Sequence, residues 1–239
     1  MSQGNVLIVG ASSGMGRALA ELYLKQGWKV GITGRREALL AEVAGAFPGR
    51  VWFRAFDVTE DRVEQHLEEL AADLGGVDTI VISAGGGAVN ESLEPALEQR
   101  IVTLNVEAFT RMAIWAFRYL SRQGHGHLAA ITSVAGTRGS RQAPAYSAVK
   151  AFQIRYLEGL QFMARKQGAK IQVTDIRPGF VRTKTADGPR RFWEADVQRA
   201  ARLIFLGLAG RRRVVYVTRR WWLIAFVYRW APRWLLEKF

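Results

Sequence analysis

A tyrosine and a lysine lie four residues apart in the stretch Tyr146-Ser-Ala-Val-Lys150. On a helix this spacing places both side chains on one face, a single turn apart. A lysine ammonium close to a phenol favours the phenolate and lowers a tyrosine pKa that is ordinarily about 10. Such a tyrosine can exchange a proton with an alcohol or carbonyl oxygen. Because the pair also occurs by chance on exposed helices, its meaning depends on the rest of the chain.

A glycine-rich turn follows the first apolar run of the chain, at 5–9. The run is typical of a strand covered on both faces, and a helical pattern continues from the turn to Gln26. Strand, glycine turn and helix favour dinucleotide binding over a plain turn, because the helix N-terminus can bind a pyrophosphate. The predicted contacts are Gly10, Ser12, Ser13, Gly14, Met15 and Gly16.

Two arginines, Arg35 and Arg36, follow the second predicted strand. An NAD site usually has an acidic residue here for the ribose 2′-hydroxyl, whereas arginine accommodates the 2′-phosphate of NADP. The arginines also open a helix, at the end whose dipole disfavours cations, and a bound phosphate would explain that placement. A solvated charge pair is the alternative, and we favour NADP.

Predicted strands alternate with helices along the chain, at 5–9, 29–33, 51–55, 77–83, 128–132, 170–176 and 214–217. This pattern predicts an α/β fold, a doubly wound parallel sheet (Rossmann fold) of about seven strands with helices on both faces. Ligands of such sheets bind beyond the carboxyl ends of the strands. Gly10, Ser83, Ser133 and Pro178 lie at such ends, so we expect them to converge. We assign 1–210 to this domain, and 211–239 to its last strand and a C-terminal extension.

Composition excludes some chemistry. The 239 residues include no cysteine, so neither disulfides nor thiolate catalysis are available, which suits a reducing, cytoplasmic location. The N-terminus lacks the pattern of a signal peptide. The three histidines form no metal-ligand motif, and all are interpreted as surface or loop residues. A formal net charge of +13 suggests an anionic partner: nucleic acid, an acidic membrane surface or a phosphorylated ligand.

With the glycine turn, Asn105, Ser133 and the Tyr146/Lys150 pair in this order, the chain resembles the short-chain dehydrogenase/reductase family over about residues 5–210. The resemblance implies a Rossmann fold, a nicotinamide cofactor and hydride transfer between an alcohol and a carbonyl. By position it implies that Tyr146 is the general acid/base and that Lys150 lowers its pKa and holds the nicotinamide ribose. It also implies that Ser133 orients the substrate oxygen and that Asn105 is a relay amide. From the residues alone, a satisfied structural amide is equally open for Asn105.

Further cofactor contacts complete this interpretation. Asp57, with Val58 beside it, is placed to meet an adenine edge or to begin a helix. The family usually has Asn-Ala-Gly after the fourth strand, whereas this chain has Ser83, Ala84 and Gly85, so local hydrogen bonds there are expected to differ. The segment that resembles the family's nicotinamide contact supplies Pro178, Gly179, Val181 and Thr183.

The last 29 residues, 211–239, hold eight Lys/Arg and one acidic residue. Their unbroken apolar run, 221–228, is far shorter than the ~20 residues that span a bilayer. Tryptophan with arginine suits the headgroup region of an anionic membrane. Alternatively, the aromatic residues cover the substrate pocket or form a subunit contact. Nucleic acid is not expected, because the aromatic residues are not spaced along a groove.

The sequence therefore predicts a cytoplasmic NADP-dependent oxidoreductase that acts on an apolar carbonyl or secondary alcohol, without a metal, as a homo-oligomer (dimer or tetramer). The alternative is a non-catalytic NADPH-binding sensor or scaffold at a membrane or subunit interface. The complete Ser/Tyr/Lys set favours the enzyme, because a binding module would not need Tyr146.

Overall fold

The computed structural model describes residues 4–168, 170–182 and 193–232. Within them the strands are β1 (Asn5–Val9), β2 (Lys29–Gly34), β3 (Val51–Ala55), β4 (Thr79–Ile82), β5 (His125–Ile131), β6 (Lys170–Pro178), β7 (Val181–Arg182), β8 (Ala195–Asp196) and β9 (Val214–Val217). Seven of these form a parallel sheet in the order β3-β2-β1-β4-β5-β6-β9, and β7 pairs with β8 separately. The order reverses at β1, so the crevice between β1 and β4 is where such folds bind ligands.

Helices connect the strands as a parallel sheet requires. They are α1 (Gly14–Lys25), α2 (Glu37–Ala46), α3 (Val63–Asp73), α4 (Pro95–Val102), α5 (Phe109–Gln123), α6 (Pro144–Lys166), α7 (Val197–Ala209) and α8 (Arg219–Trp230). A π-helical segment, Thr103–Ala108, joins α4 to α5, and a 3₁₀ turn, Val134–Thr137, follows β5. In the parts of the chain that the structure describes, no helix is long and apolar enough to cross a membrane.

The apolar core lies on both faces of the sheet. In β1, Leu7 and Val9 belong to the cluster that includes α3, α5 and α6, whereas Val6 and Ile8 belong to the cluster that includes α1, α2 and α7. This alternation explains why β1 is an unbroken apolar run, since its side chains are buried on both faces of the sheet. The predicted doubly wound sheet is confirmed.

Several sequence predictions differ from the structure. His127 was expected at the surface, but it lies inside β5, 6% exposed, with Nε2 2.7 Å from Thr174 Oγ1. Strand β5 begins three residues before the predicted start, and the turn before it contributes its histidines to the ladder.

Candidate active site

A cavity of about 580 Å³ lies beyond the carboxyl ends of β1, β2, β3 and β4. It gathers residues that the sequence predicted from four separate segments, because parallel strands bring their ends to one edge of the sheet. The predicted residues that line it are Gly10, Ser12, Ser13, Gly14, Met15, Arg35, Arg36, Asp57, Val58, Ser83, Ala84 and Gly85.

The glycine turn below this cavity has room for backbone only. Gly10 has a φ of +88°, and a Cβ placed on it would lie 2.5 Å from the nitrogen of Ala84. A Cβ on Gly16 would lie 2.2 Å from the carbonyl oxygen of Gly10. Gly16 therefore brings α1 against the turn, while the neighbouring residues line the cavity.

The N-terminus of α1 forms one wall of the cavity. Its N-cap residue, Ser13, makes no side-chain cap, and its hydroxyl instead accepts a hydrogen bond from Arg36 at 2.6 Å. Arg36 also donates to the hydroxyl of Ser12 at 3.0 Å. The first N–H groups of α1 thus lack a side-chain acceptor, and a helix N-terminus in this state is suited to an anion.

The second arginine reaches across the same cavity. Nη1 of Arg35 lies 3.6 Å from Oδ2 of Asp57, with the arginine side chain 79% exposed. The cavity therefore holds several hydrogen-bond donors: two guanidinium groups, two serine hydroxyls and an uncapped helix terminus. This set of donors fits the phosphates of a nicotinamide dinucleotide.

A second cavity, of about 750 Å³, shares Met15, Ser83 and Gly85 with the first. Its walls bring together the predicted catalytic and nicotinamide-contacting residues Ser133, Tyr146, Lys150, Pro178, Gly179 and Val181. Thr183, predicted in the same segment, lies outside the described residues. The two cavities together offer a continuous site for a cofactor and a substrate.

Helix α6 carries Tyr146 and Lys150 one turn apart, with Nζ of the lysine 5.7 Å from the centroid of the tyrosine ring. Burial raises the pKa of Tyr146, and a hydrogen bond with the Ser133 hydroxyl opposes that rise. In this structure the pKa of Tyr146 is therefore raised, and a lowering effect of Lys150 on it stays a prediction. The phenol stays protonated at neutral pH, because desolvation of the phenolate outweighs the hydrogen bond.

Lys150 is itself buried, and its Nζ donates to Oε1 of Gln153 at 2.8 Å and to the carbonyl of Ile131 at 3.4 Å. Burial lowers the pKa of Lys150 to about 8, although the carboxylate of Asp175 acts in the opposite direction. Gln153 in turn donates through Nε2 to the main-chain carbonyl of Asn105 at 2.9 Å. A chain of hydrogen bonds thus joins α6 to the π-helical segment.

The side chain of Asn105 is satisfied within the fold. Its Nδ2 donates to the carbonyls of Gly86 at 2.8 Å and Ile101 at 2.9 Å, and its Oδ1 accepts from the Gly86 nitrogen at 3.4 Å. The amide therefore holds the glycine segment after β4, which is the structural role left open by the sequence. The main-chain carbonyl of Asn105, rather than its side chain, meets the Lys150 chain.

Gln153 is a candidate site residue that the sequence did not predict. It stands three residues after Lys150, so helical spacing could have found it. One face of α8 also lines the cavity, with Trp221, Ile224, Ala225 and Tyr228. A cover over the substrate pocket was one of the alternatives that the sequence left open for the aromatic residues of this segment, but the sequence did not indicate which of them face the pocket.

Two contacts hold α8 at the cavity. Arg138, in the segment after the 3₁₀ turn, donates to the carbonyl oxygens of Tyr228, Arg229 and Ala231 at the C-terminal end of the helix. At the other end, Trp221 packs so closely on Gly179 that an added Cβ would lie 1.9 Å from the indole ring. The C-terminal helix is therefore a wall of the cavity.

Comparisons with known proteins agree with this geometry. A model of the short chain dehydrogenase family matches residues 4–192. An uncharacterized oxidoreductase from Myxococcus xanthus (strain DK1622) is 35% identical over 193 residues, covering 77% of this chain and 74% of the relative. Serine 3-dehydrogenase from Agrobacterium fabrum is 34% identical, covering 76% and 73%. An NADP-dependent 3-hydroxy acid dehydrogenase, YdfG, from Escherichia coli (strain K12) is 28% identical, covering 74% and 72%.

Solved structures share the fold. A short-chain dehydrogenase from Streptomyces avermitilis aligns with a TM-score of 0.83 and 25% identity over 99% of this chain and 94% of that one. At lower identity, ElxO with NADP bound aligns with a TM-score of 0.78 (19% identity; 90% and 97% covered). A short chain dehydrogenase/reductase from Burkholderia phymatum in complex with NAD aligns with a TM-score of 0.81 (21% identity; 94% and 92% covered).

The sheet order and the two joined cavities define a nucleotide-binding α/β protein of the Rossmann type. The family model spans most of the sequence and a 35% identical relative covers three quarters of it, so the chain belongs to the short-chain dehydrogenase family. It is an oxidoreductase that acts on CH–OH or C=O groups, and the resemblance expected from the sequence is confirmed.

Proposed function

We propose that this oxidoreductase uses NADP to interconvert a carbonyl compound and its secondary alcohol, with Tyr146 as the general acid/base. The observation that carries the proposal is the joining of two cavities. One is lined by phosphate-binding donors, and the other by Ser133, Tyr146 and Lys150. The bound nicotinamide supplies or accepts the hydride, and the protein supplies position and electrostatics.

The choice of NADP rests on Arg35 and Arg36. Both line the dinucleotide cavity at the end of β2, where the ribose of the cofactor is expected. Arg36 is held by the hydroxyls of Ser12 and Ser13, so its guanidinium is positioned beside the helix terminus before a ligand arrives. A relative is an NADP-dependent dehydrogenase, which agrees with this choice.

The proton step follows from the chemistry of three side chains. During reduction, negative charge develops on the substrate oxygen, and hydroxyl donors close to it stabilise that charge. Ser133 and Tyr146 line the same cavity, and the Ser133 hydroxyl lies close enough to influence the pKa of Tyr146, so one substrate oxygen can meet both hydroxyls. The raised pKa of Tyr146 keeps its proton available for donation from Oη.

Lys150 supplies positive charge where the phenolate would form. With a pKa of about 8 it is mostly protonated at neutral pH. Among the described residues its ammonium has two acceptors for three N–H donors, which leaves one donor for a ligand hydroxyl such as that of a ribose. Gln153 fixes the position of the ammonium through its link to Asn105.

The substrate cavity favours an apolar carbonyl compound. Phe180, Trp221 and Ile224 form part of its wall, while Arg138 and Gln142 supply polar groups. The rival function, a non-catalytic NADPH sensor, would need Lys150 for the cofactor but would not need the Tyr146 hydroxyl beside Ser133 in the substrate cavity. The expected homo-oligomer and cytoplasmic location stay predictions.

Cofactor binding and turnover test the proposal together. Purified protein should oxidise NADPH, followed by absorbance, in the presence of apolar ketones. Its dissociation constant for NADPH should be lower than that for NADH. Arg36→Gln should weaken NADPH binding about 10-fold or more, as expected for a lost charge-assisted hydrogen bond, and leave NADH binding nearly unchanged. Arg62→Gln, on an exposed residue outside both cavities, is the control. Equal affinities of the wild type for both cofactors would contradict the choice of NADP.

A further inference from the structure

Helix α8 has two opposite apolar faces, and only one of them has a partner in the described structure. Its inner face, Trp221, Ile224, Ala225 and Tyr228, lines the substrate cavity. Its outer face consists of exposed apolar side chains, namely Trp222, Leu223, Phe226, Val227 and Trp230. Trp222 and Phe226 are each 53% exposed, and Trp230 is 70% exposed. A helix that is apolar on every side is normally buried, so the outer face needs a covering partner.

The charges around the outer face indicate what that partner is. At 3.6 residues per turn, Arg220 and Arg229 fall on opposite borders of the face. Both are exposed, and neither has a carboxylate within 4.0 Å among the described residues. Their guanidinium groups lie over tryptophan rings instead, Arg220 at 5.5 Å from the Trp193 centroid and Arg229 at 6.0 Å from the Trp230 centroid.

We propose that the outer face of α8 docks on an anionic lipid surface. Aromatic and aliphatic side chains on one face with arginines along both borders are typical of a helix that lies in the headgroup region. Such arginines keep their charge at the phosphates while their stems cover apolar surface. The proposal concerns a surface outside the catalytic residues, so it does not depend on the proposed reaction.

A second copy of the chain fits this face less well. Two copies that pair through the same face would bring arginines of like charge together on a protein with a net charge of +13. Anionic lipid instead brings negative charge to the arginines on both borders of the face.

The test is co-sedimentation of the full-length protein with vesicles, with oligomeric mass measured by light scattering. Vesicles of phosphatidylcholine with about 30% phosphatidylglycerol should pellet the wild type at low salt. Pure phosphatidylcholine should pellet much less, and higher salt should weaken the binding, because attraction between exposed charges is screened.

Matched variants distinguish binding through the outer face of α8 from nonspecific binding through other exposed apolar side chains. The pair Trp222→Ser and Phe226→Ser should lower the vesicle-bound fraction at least about 5-fold. The pair Phe162→Ser and Met163→Ser, with exposures of 60% and 50% on α6, should leave it unchanged. All variants should keep the melting temperature and NADPH affinity of the wild type, since the changed side chains are exposed.

Charge variants complete the design. Arg220→Gln with Arg229→Gln should lower binding to anionic vesicles, whereas Arg199→Gln with Arg202→Gln, exposed on α7, should not, although both pairs remove two charges. Equal effects of the two pairs would overturn the proposal. Failure of the wild-type protein to pellet with anionic vesicles would also overturn it. A third contrary result would be a wild-type dimer that becomes a monomer in the Trp222→Ser, Phe226→Ser variant while its lipid binding is unchanged.

Discussion

At the scale of single residues, the least expected feature is the hydrogen-bond chain that begins at Lys150. The sequence predicted Lys150 as a partner of Tyr146 and of the nicotinamide ribose, whereas the structure also joins it to Gln153 and, through it, to Asn105. A lysine removed from water needs acceptors for its N–H groups, and the side chain three residues along the same helix supplies one. We infer that Gln153 is a positioning residue for the ammonium.

The pH dependence of turnover tests that inference. Lys150, with a pKa of about 8, should lose its proton above that pH, and kcat with saturating NADPH should fall there. Gln153→Glu places a carboxylate beside Nζ, which raises the pKa of Lys150, so the fall in kcat should move up by about 1 pH unit or more. Gln153→Leu removes an acceptor and should move it down.

Opposite shifts for these two variants are the signature of a direct contact with Lys150. A merely structural role for Gln153 would lower stability or kcat in both variants without moving the fall in kcat in opposite directions. The measurement is kcat from pH 6 to pH 10.5 for the three proteins, with thermal melts to confirm folding.

At the scale of elements, the sequence predicted the strands and turns whose positions depend on neighbouring residues in the chain. The unbroken apolar runs predicted the strands, and β3 and β9 have the predicted ends. Glycines predicted the turn at Gly10. The position of α8 depends on contacts with segments far away in the chain, Arg138 and Gly179, which no periodicity reveals.

The contact between Gly179 and Trp221 should control the cavity. Gly179→Ala forces the indole ring and α8 to move, because the added Cβ would lie 1.9 Å from the ring. Overpacking of this kind costs about 1–3 kcal/mol, and KM for an apolar ketone should rise because Trp221 lines the cavity. Gly159→Ala, with open space around its Cβ inside α6, should instead stabilise the protein by about 0.5–1 kcal/mol.

Chemical denaturation and steady-state kinetics measure these two changes. If Gly179→Ala left both stability and KM at the wild-type values, close packing of Trp221 on Gly179 at the end of β6 would be contradicted.

At the scale of the whole molecule, the sequence predicted the sheet and the convergence of strand ends, because these follow from chain-wide alternation of strands and helices. It missed which histidine is buried. His127 follows a glycine and resembles a turn residue, but β5 extends back to His125 and places it between β4 and β6. Thr174 donates to the carbonyl of Arg212, so it accepts a hydrogen bond from His127, which must carry its proton on Nε2.

Burial of this neutral imidazole predicts how global stability responds to acid. Desolvation, with the nearby charge of Arg211, lowers the pKa of His127 to about 4. An unfolded histidine has a pKa of about 6.5. As pH falls from about 6.5 towards 4 the unfolded chain therefore takes up the proton first, and stability is lost over that range.

Between pH 7 and pH 5, the free energy of unfolding of the wild type should fall by about 2 kcal/mol more than that of His127→Gln. Glutamine can donate to Thr174 without titrating, so it keeps the hydrogen bond. Urea denaturation at the two pH values measures the difference. Equal acid sensitivity of the two proteins would contradict the buried neutral state of His127.

We propose that Tyr146 gives its proton to the substrate oxygen beside a bound NADPH, and the Tyr146→Phe variant tests this role. Loss of one hydroxyl should lower kcat for ketone reduction by about 10²-fold or more. The dissociation constant for NADPH should stay within about 3-fold of the wild type, because the ring remains in place. A variant that kept more than about a tenth of the wild-type rate would contradict the claim.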